Sequence, residues 1–183
     1  MKICIERSDR MGDMILTLPI IQGIKEKNPH AIIDVVASKK NLKICKLCNL
    51  INKTYEKINS SSDFKQLKRS IRQEQYDYYF AFSPSWFGLF LGYYSQSKFK
   101  SALILQSRYK SNFLSKFWHI IFSKMFFSQS KVVNRFKSLR ENQDIHQTKM
   151  MISVILNSGI SLNKNCKSDF TFTNAFTLSL IHI

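Results

Sequence analysis

Acidic residues are scarce in this sequence of 183 residues. Twelve Asp and Glu stand against twenty-eight Lys and Arg, which gives a formal net charge of +16. Between Lys98 and Arg140 acidic residues are missing altogether, while ten residues are basic. A balance of this kind predicts an anionic partner, such as nucleic acid, a phosphorylated lipid surface or a phosphate-bearing substrate. We expect the middle of the chain to meet that partner.

Long apolar runs are also missing. The longest, near residues 117–122, is far shorter than the ~18 residues that a membrane-spanning helix needs. The amino terminus reaches Glu6 and Asp9 before any long apolar stretch, unlike a secretory signal peptide. Together these absences favour a cytoplasmic protein.

Cysteines are few, and their spacing completes no metal site. Cys45 and Cys48 form one Cys-x-x-Cys pair, which is compatible with a redox motif or with half of a zinc site. No second pair follows, and the four histidines are scattered. We therefore interpret the pair as two half-buried thiols on a helix and predict no metal.

Strand and helix patterns alternate along most of the chain, which has the length of one domain. The predicted strands are Lys2–Glu6, Ala31–Ala37, Tyr55–Ile58, Tyr76–Phe82 and Ser101–Gln106. The predicted helices between them run from Met14 to Asn28, Lys39 to Asn49, Phe64 to Gln75 and Trp86 to Tyr94. This order predicts an α/β fold of Rossmann-like type, with about five parallel strands and helices on both faces.

The rhythm changes beyond the fifth predicted strand. Two longer helices are predicted, Asn112–Phe127 and Gln143–Leu156, and the second ends before Gly159. We expect residues 1–160 to form one domain and residues 161–183 to be a truncated tail.

The most informative segment is the turn that leaves the first strand, Arg7 to Pro19. It contains neither a Gly-x-Gly-x-x-Gly fingerprint nor a Walker loop, so a dinucleotide or ATP is not indicated. Gly12 permits close backbone approach or an unusual dihedral angle. Asp13 is either the amino-terminal cap of the helix or a carboxylate aimed into a crevice. Arg10 is either a solvated cation or a clamp for a phosphate or carboxylate of a ligand.

The organised part of this sequence resembles glycosyltransferase family 9, which includes the ADP-heptose:lipopolysaccharide heptosyltransferases. The resemblance rests on Arg-x-Asp-Arg-x-Gly-Asp after the first strand, the following Leu-Thr-x-Pro, and a strand with Ile-Asp-Val. It continues through Tyr76–Phe80 and through the segment from Ile145-His146 to Gly159. It therefore spans roughly residues 1–160.

The resemblance implies the amino-terminal half of a GT-B enzyme, which grips the acceptor, while a second domain binds the nucleotide-sugar. It implies that Asp13 is the general base of an inverting sugar transfer. It also implies a donor such as ADP-heptose as substrate, a lipopolysaccharide core or lipid A-type acceptor, and no further cofactor. Nothing here matches the family's donor-binding motif, so we expect the chain to be inactive alone.

Residues 98–140 mix basic and aromatic side chains, which is compatible with a solvated basic face above a buried apolar one. Three functional interpretations also stay open. In the transferase interpretation they face the anionic inner membrane, and Arg108 and Lys110 are candidates to bind acceptor phosphates. A nucleic-acid-binding module would use the same residues, although no recognition motif for nucleic acid is visible. The third interpretation is a non-catalytic remnant that acts through protein contacts.

Overall fold

The computed structural model of the protein describes residues 1–58, 60–83, 85–105, 113–133 and 146–163. Over these residues, six strands and seven helices follow one another. The strands are β1 (Lys2–Arg7), β2 (Ile32–Ala37), β3 (Lys53–Glu56), β4 (Tyr78–Ala81), β5 (Phe99–Leu105) and β6 (Gln129–Val133). The helices are α1 (Met11–Ile15), α2 (Leu18–Lys27), α3 (Lys39–Leu47), α4 (Ser61–Gln73), α5 (Trp86–Ser95), α6 (Phe113–Phe126) and α7 (Gln147–Asn157).

In the described part of the chain the strands form one sheet in the order β3-β2-β1-β4-β5-β6. Every neighbouring pair is parallel. This is the order of a doubly wound Rossmann sheet, so the predicted fold class is confirmed. The expected count of about five strands is wrong, because β6 pairs with β5 and extends the sheet by one strand.

β1 lies at the centre of the sheet, and its sequence explains why. Ile3 and Ile5 point to one face and Cys4 to the other, and all three side chains are fully buried. An apolar run buried on both faces is typical of a parallel sheet whose two faces are covered by helices. The centre of the sheet is therefore specified by its first strand.

Two helical layers cover the sheet. The layer that contributes Ile21, Ile44 and Met151 belongs to α2, α3 and α7, and it packs on the face that carries Ile3 and Ile5. The opposite layer consists of α4, α5 and α6, which pack on the face that carries Cys4. Among the described helices, none combines the length and the apolar character that crossing a bilayer requires.

The helix predicted from Met14 to Asn28 is broken. α1 ends at Ile15, and α2 starts at Leu18 with Pro19 in its first turn. Proline lacks an amide hydrogen, and its ring clashes with the preceding helical turn, so it is tolerated at the start of a helix and not inside one. The Thr17 hydroxyl bridges the break by donating to the Asp13 carbonyl at 2.9 Å. Because α2 starts afresh at Leu18–Pro19, α1 is a separate short helix.

The Cys45–Cys48 pair is more deeply buried than predicted. Both thiols are buried, Cys45 in α3 and Cys48 at the carboxyl-terminal cap of that helix. Burial raises the pKa of Cys45 to about 12, with the nearby Cys48 adding to the shift. Since redox exchange and zinc binding need the thiolate, this environment favours a packing role for both residues.

Some predictions fall wholly or partly on residues outside the described ranges. Arg108 and Lys110 follow β5 in the sequence and lie between the described ranges. Residues 164–183 also lie outside them, so the division into a domain of residues 1–160 and a tail of residues 161–183 stays a prediction.

Candidate functional site

The strand order places the switch point, where crevices form in open α/β sheets, at the carboxyl ends of β1 and β4. The chain leaves β1 toward β2 on one side of the sheet, and the strand on the other side is β4. In open α/β sheets, ligands bind where the connections diverge in this way. The turn singled out from the sequence follows β1, so the topology places it at this point.

Arg7 organises the turn from inside. This last residue of β1 is fully buried, and its Nε lies 3.2 Å from Asp9 Oδ1. Its Nη2 lies 3.4 Å from Asp13 Oδ1, and its guanidinium also donates to the carbonyl oxygens of Asp13 and Phe82. A buried cation is tolerated when it is paired and hydrogen-bonded. Arg7 therefore ties the turn, α1 and the end of β4 together.

Asp13 is held through one of its two carboxylate oxygens. With the Gln147 amide oriented to suit its neighbours, its nitrogen donates to Asp13 Oδ1 at 2.8 Å and its oxygen accepts from Arg7. Oδ1 thus has two partners, Arg7 and Gln147. Asp13 Oδ2 makes no hydrogen bond with any residue that the structure describes, and the side chain is 19% exposed. The carboxylate is fixed in position with one oxygen left for another molecule.

The amino-terminal cap of α1 is Arg10 and not Asp13, which is the third residue of the helix. The capping alternative for Asp13 is therefore wrong. Arg10 has an extended backbone, its side chain is exposed, and it forms no ion pair within the described ranges. The cation is thus available to an anionic ligand beside the crevice.

Gly12 leaves open space above the turn. A methyl group added at its Cα would meet no atom within 4 Å, and the backbone there is not in the left-handed region. The alternative of an unusual dihedral angle is therefore wrong. No neighbour among the described residues requires glycine here, so close approach by another molecule stays a prediction.

A second carboxylate, Glu6, lies buried beneath the turn. Its Oε1 accepts from the Ser8 hydroxyl at 2.5 Å and from the Ser8 amide at 3.2 Å. Its Oε2 lies close to Gly88 in α5, and a Cβ added at Gly88 would be only 2.5 Å from this oxygen. Oε2 has no hydrogen bond among the described residues. Burial raises the pKa of Glu6 to about 7, an effect that the Ser8 hydrogen bond partly opposes. Glu6 therefore changes charge near neutral pH.

Glu6 should make the stability of the fold depend on pH. Because its pKa is about 7 in the folded state and 4.5 ordinarily, the folded protein holds this proton more tightly than the unfolded chain. The free energy of unfolding should therefore fall as the pH rises from 4.5 to 7, by about 3 kcal/mol. Glu6→Gln should remove this loss, as measured by urea denaturation at pH 5 and pH 8.

The matched control for this measurement is Glu56→Gln, at an exposed position of β3. It should keep the pH dependence of the unmodified protein. A Glu6→Gln variant that loses stability between pH 5 and pH 8 as steeply as the unmodified protein would contradict the assignment.

The structure brings together three of the five predicted site residues. Arg10, Gly12 and Asp13 lie on the turn and first helix at the crevice, while Arg108 and Lys110 lie outside the described residues. Sequence reasoning missed the parts played by Glu6, Arg7 and Gln147. Two charged residues at the end of an otherwise apolar strand were a usable signal, because such residues are seldom buried unless they are paired. No group of three metal-ligating side chains occurs among the described residues.

Comparison with known proteins finds solved structures that share the fold of this chain. No model of a known protein family matches the chain, and no curated protein matches its sequence. Its fold, however, is that of solved glycosyltransferases with Rossmann-like sheets. The resemblance to glycosyltransferase family 9 is thereby confirmed at the level of the fold.

Three of these structures show the extent of the likeness. A family 9 glycosyl transferase from Veillonella parvula DSM 2008 has a TM-score of 0.64 at 17% identity, over 87% of this chain and 41% of that one. The E. coli heptosyltransferase WaaC with ADP-2-deoxy-2-fluoro heptose has a TM-score of 0.68 at 13% identity, over 97% and 54%. The E. coli ADP-heptose lps heptosyltransferase II has a TM-score of 0.57 at 15% identity, over 74% and 36%. The chain thus spans between about a third and just over half of the length of these proteins.

Proposed function

We propose that this chain is the acceptor-side half of a family 9 glycosyltransferase. The whole enzyme would transfer a heptose or a similar sugar from a nucleotide-sugar to a hydroxyl of a lipopolysaccharide core acceptor. The observation that carries the proposal is the Asp13 carboxylate at the carboxyl edge of the sheet, which is anchored through Oδ1 and whose Oδ2 has no hydrogen bond among the described residues. The likeness in fold to heptosyltransferases, one of them solved with an ADP-heptose analogue, supports the substrate class.

In the proposed reaction, Asp13 acts as the general base. Its Oδ2 takes the proton of the acceptor hydroxyl while that oxygen forms a bond to the anomeric carbon of the donor sugar. The bond from the anomeric carbon to the nucleotide diphosphate breaks on the opposite face, and the diphosphate leaves with the electron pair. Arg7 and Gln147 do not touch the substrates in this scheme, and their role is to hold Oδ1 so that Oδ2 faces the acceptor.

The acceptor would be held by the residues around the crevice. Arg10 would pair with an acceptor phosphate, since guanidinium groups bind phosphate with two parallel hydrogen bonds. Gly12 would let the acceptor approach the backbone. Arg108 and Lys110 are proposed as further phosphate contacts, on the strength of their charge and their place after β5. The donor is assigned to a second domain, so the chain alone is proposed to be inactive and to need no cofactor or metal.

The location follows from the acceptor. A lipid-linked acceptor would place the enzyme in the cytoplasm, peripheral on the inner membrane, where the basic residues between 98 and 140 would meet anionic headgroups. The alternatives, a nucleic-acid-binding module and a non-catalytic remnant, predict different ligands, which a binding experiment separates.

Binding of the chain to a phosphorylated core oligosaccharide tests the acceptor role. We expect measurable affinity by isothermal titration calorimetry, and none for ADP. Gly12→Ala should weaken binding about tenfold, because its methyl group would fill the open space above the turn, a change comparable to a lost methylene contact. The fold should not suffer, since alanine in a helix is about 0.5–1 kcal/mol more favourable than glycine.

Arg10→Ala should also weaken the binding, and Arg69→Ala supplies the control, because Arg69 is an exposed arginine on α4. Salt-sensitive binding to oligonucleotides, without binding to the oligosaccharide, would replace the proposal with the nucleic-acid alternative. Binding to neither ligand would favour the remnant.

A further inference from the structure

Helix α5 is unusual for a helix at the protein surface. None of its ten residues is charged, and it contains Trp86, Phe87, Phe90, Tyr93 and Tyr94. A helix that is apolar all round is ordinarily buried or in contact with lipid. Phe90, Tyr93 and Tyr94 are nevertheless each 40% exposed. Burial against the sheet therefore accounts for only part of the apolar surface of α5.

Helix α6 continues this surface. Phe117, Trp118 and Met125 are 52%, 55% and 69% exposed. Phe122 of α6 connects the two helices, because its ring centroid lies 5.2 Å from that of Phe90 and 6.0 Å from that of Tyr93. We call the six exposed residues the aromatic face. They are Phe90, Tyr93, Tyr94, Phe117, Trp118 and Met125.

Two lysines lie beside the aromatic face. Lys68 of α4 lies over the ring of Tyr94, with Nζ 3.9 Å from the centroid, and Lys124 is exposed next to Met125. Neither α5 nor α6 contains an acidic residue, and there is none from 98 to 140. An apolar face with cations at its rim complements a surface that is apolar inside and anionic outside.

We propose that the aromatic face docks on an anionic lipid bilayer. Trp and Tyr favour the boundary between headgroups and acyl chains, where the ring is buried and the polar atom stays wet. Lys68 and Lys124 would pair with headgroup phosphates at the rim of the contact. Long lysine side chains suit this place, because their stems cover apolar surface while the ammonium reaches the headgroups.

The docking proposal rests on the membrane partner of the proposed function, but not on its catalytic step. It identifies the side of the protein that meets the bilayer, which is the helical layer of α4, α5 and α6. The oligosaccharide titration uses a water-soluble ligand at the carboxyl edge of the sheet, so either result can fail while the other stands.

Vesicle flotation with the full chain tests the proposal. We expect the chain to float with phosphatidylcholine vesicles that contain phosphatidylglycerol and to float far less with phosphatidylcholine alone. The double variant Tyr93→Ser with Trp118→Ser should lower the partition coefficient about tenfold or more, since two aromatic anchors are lost. Binding should also shift the tryptophan emission to the blue, and the shift should disappear when Trp118 is replaced.

A pair of charge reversals separates docking from general attraction. Lys68→Glu with Lys124→Glu should lower binding to anionic vesicles about tenfold or more. Lys40→Glu with Lys43→Glu changes the net charge equally but alters exposed residues of α3, on the other side of the sheet. This control should bind much more strongly than the first pair, and thermal melting checks that all variants fold.

Equal loss of binding in the two charge-reversal pairs would overturn the proposal, because the attraction would then be general. So would unchanged flotation of the serine double variant. If sedimentation velocity shows a dimer that Trp118→Ser dissociates, and no vesicle binding occurs, the aromatic face contacts a second copy and the lipid proposal is wrong.

Discussion

Asp13→Asn is expected to abolish the proposed sugar transfer in a version of the protein that includes a donor-binding domain. Asparagine keeps the shape of the side chain but cannot accept the proton of the attacking hydroxyl. Loss of a general base costs about 10²–10⁴-fold in turnover. The Michaelis constant for the acceptor should change little, because Arg10 and Gly12 keep their places. Initial rates at saturating donor and varied acceptor separate the two constants.

Asp9→Asn is the matched control for this experiment. Asp9 also pairs with Arg7, at 3.2 Å from Nε, but its Oδ1 also accepts from Ser83 after β4, and its Oδ2 is buried. Its replacement should therefore disturb positioning and spare the proton transfer, with a smaller loss of turnover. Undiminished turnover in Asp13→Asn, with an unchanged melting temperature, would rule out Asp13 as the base.

Arg7→Met should lower the free energy of unfolding by about 3–5 kcal/mol, the cost of removing one partner from a buried ion pair. Methionine fills much of the volume but supplies no positive charge to the carboxylates of Asp9 and Asp13. It also leaves the Phe82 carbonyl without the Arg7 donor. Urea denaturation of the two proteins at one pH gives the difference in midpoint and slope.

Arg10→Met provides the comparison, because Arg10 is exposed and changes at such positions usually stay within about 0.5 kcal/mol. A loss below about 1 kcal/mol in Arg7→Met would mean that desolvation of the guanidinium cancels its ion pairs. The cluster would then hold the site in shape without stabilising the fold.

Much of the fold was predictable from the sequence, because the spacing of apolar residues and the residue composition change where a strand or helix ends. The apolar, β-branched run of β2 lies between polar turns and is recognisable as a strand. The alternation of strands and helices from β1 to β5 is also as predicted. β3 lies two residues earlier than predicted, at Lys53–Glu56. Its residues are at most half-buried, so its pattern lacks the strong apolar signal of a central strand.

β6 was missed for a related reason. Gln129–Val133 begins with Gln, Ser and Lys and follows a long helix, so no apolar alternation marks its start. It forms because β5 offers a free edge for parallel pairing, a tertiary effect that local sequence does not encode. The break between α1 and α2, by contrast, is predictable from the sequence, because proline favours the first turn of a helix.

The site was predictable only as far as it is local. Arg10, Gly12 and Asp13 lie within four residues and could be singled out together. Gln147 is 134 positions from Asp13, and the packing of α7 beside α2 and β5 brings it to the crevice. The charged end of β1 signals paired side chains, but it does not show which residues bury Glu6 and Arg7, because that depends on Ser8, Phe82 and Gly88 closing around them.

The contacts of Arg7 also bear on biosynthesis. The Asp9 carbonyl accepts from Asn41, the guanidinium donates to Phe82, and Gln147 closes the cluster. The motif itself is translated within the first dozen or so codons. A nascent chain must nevertheless extend past residue 147, and gather partners from distant parts of its sequence, before the carboxylate is locked in place. Completion of the cleft should therefore be a late, cooperative event in folding.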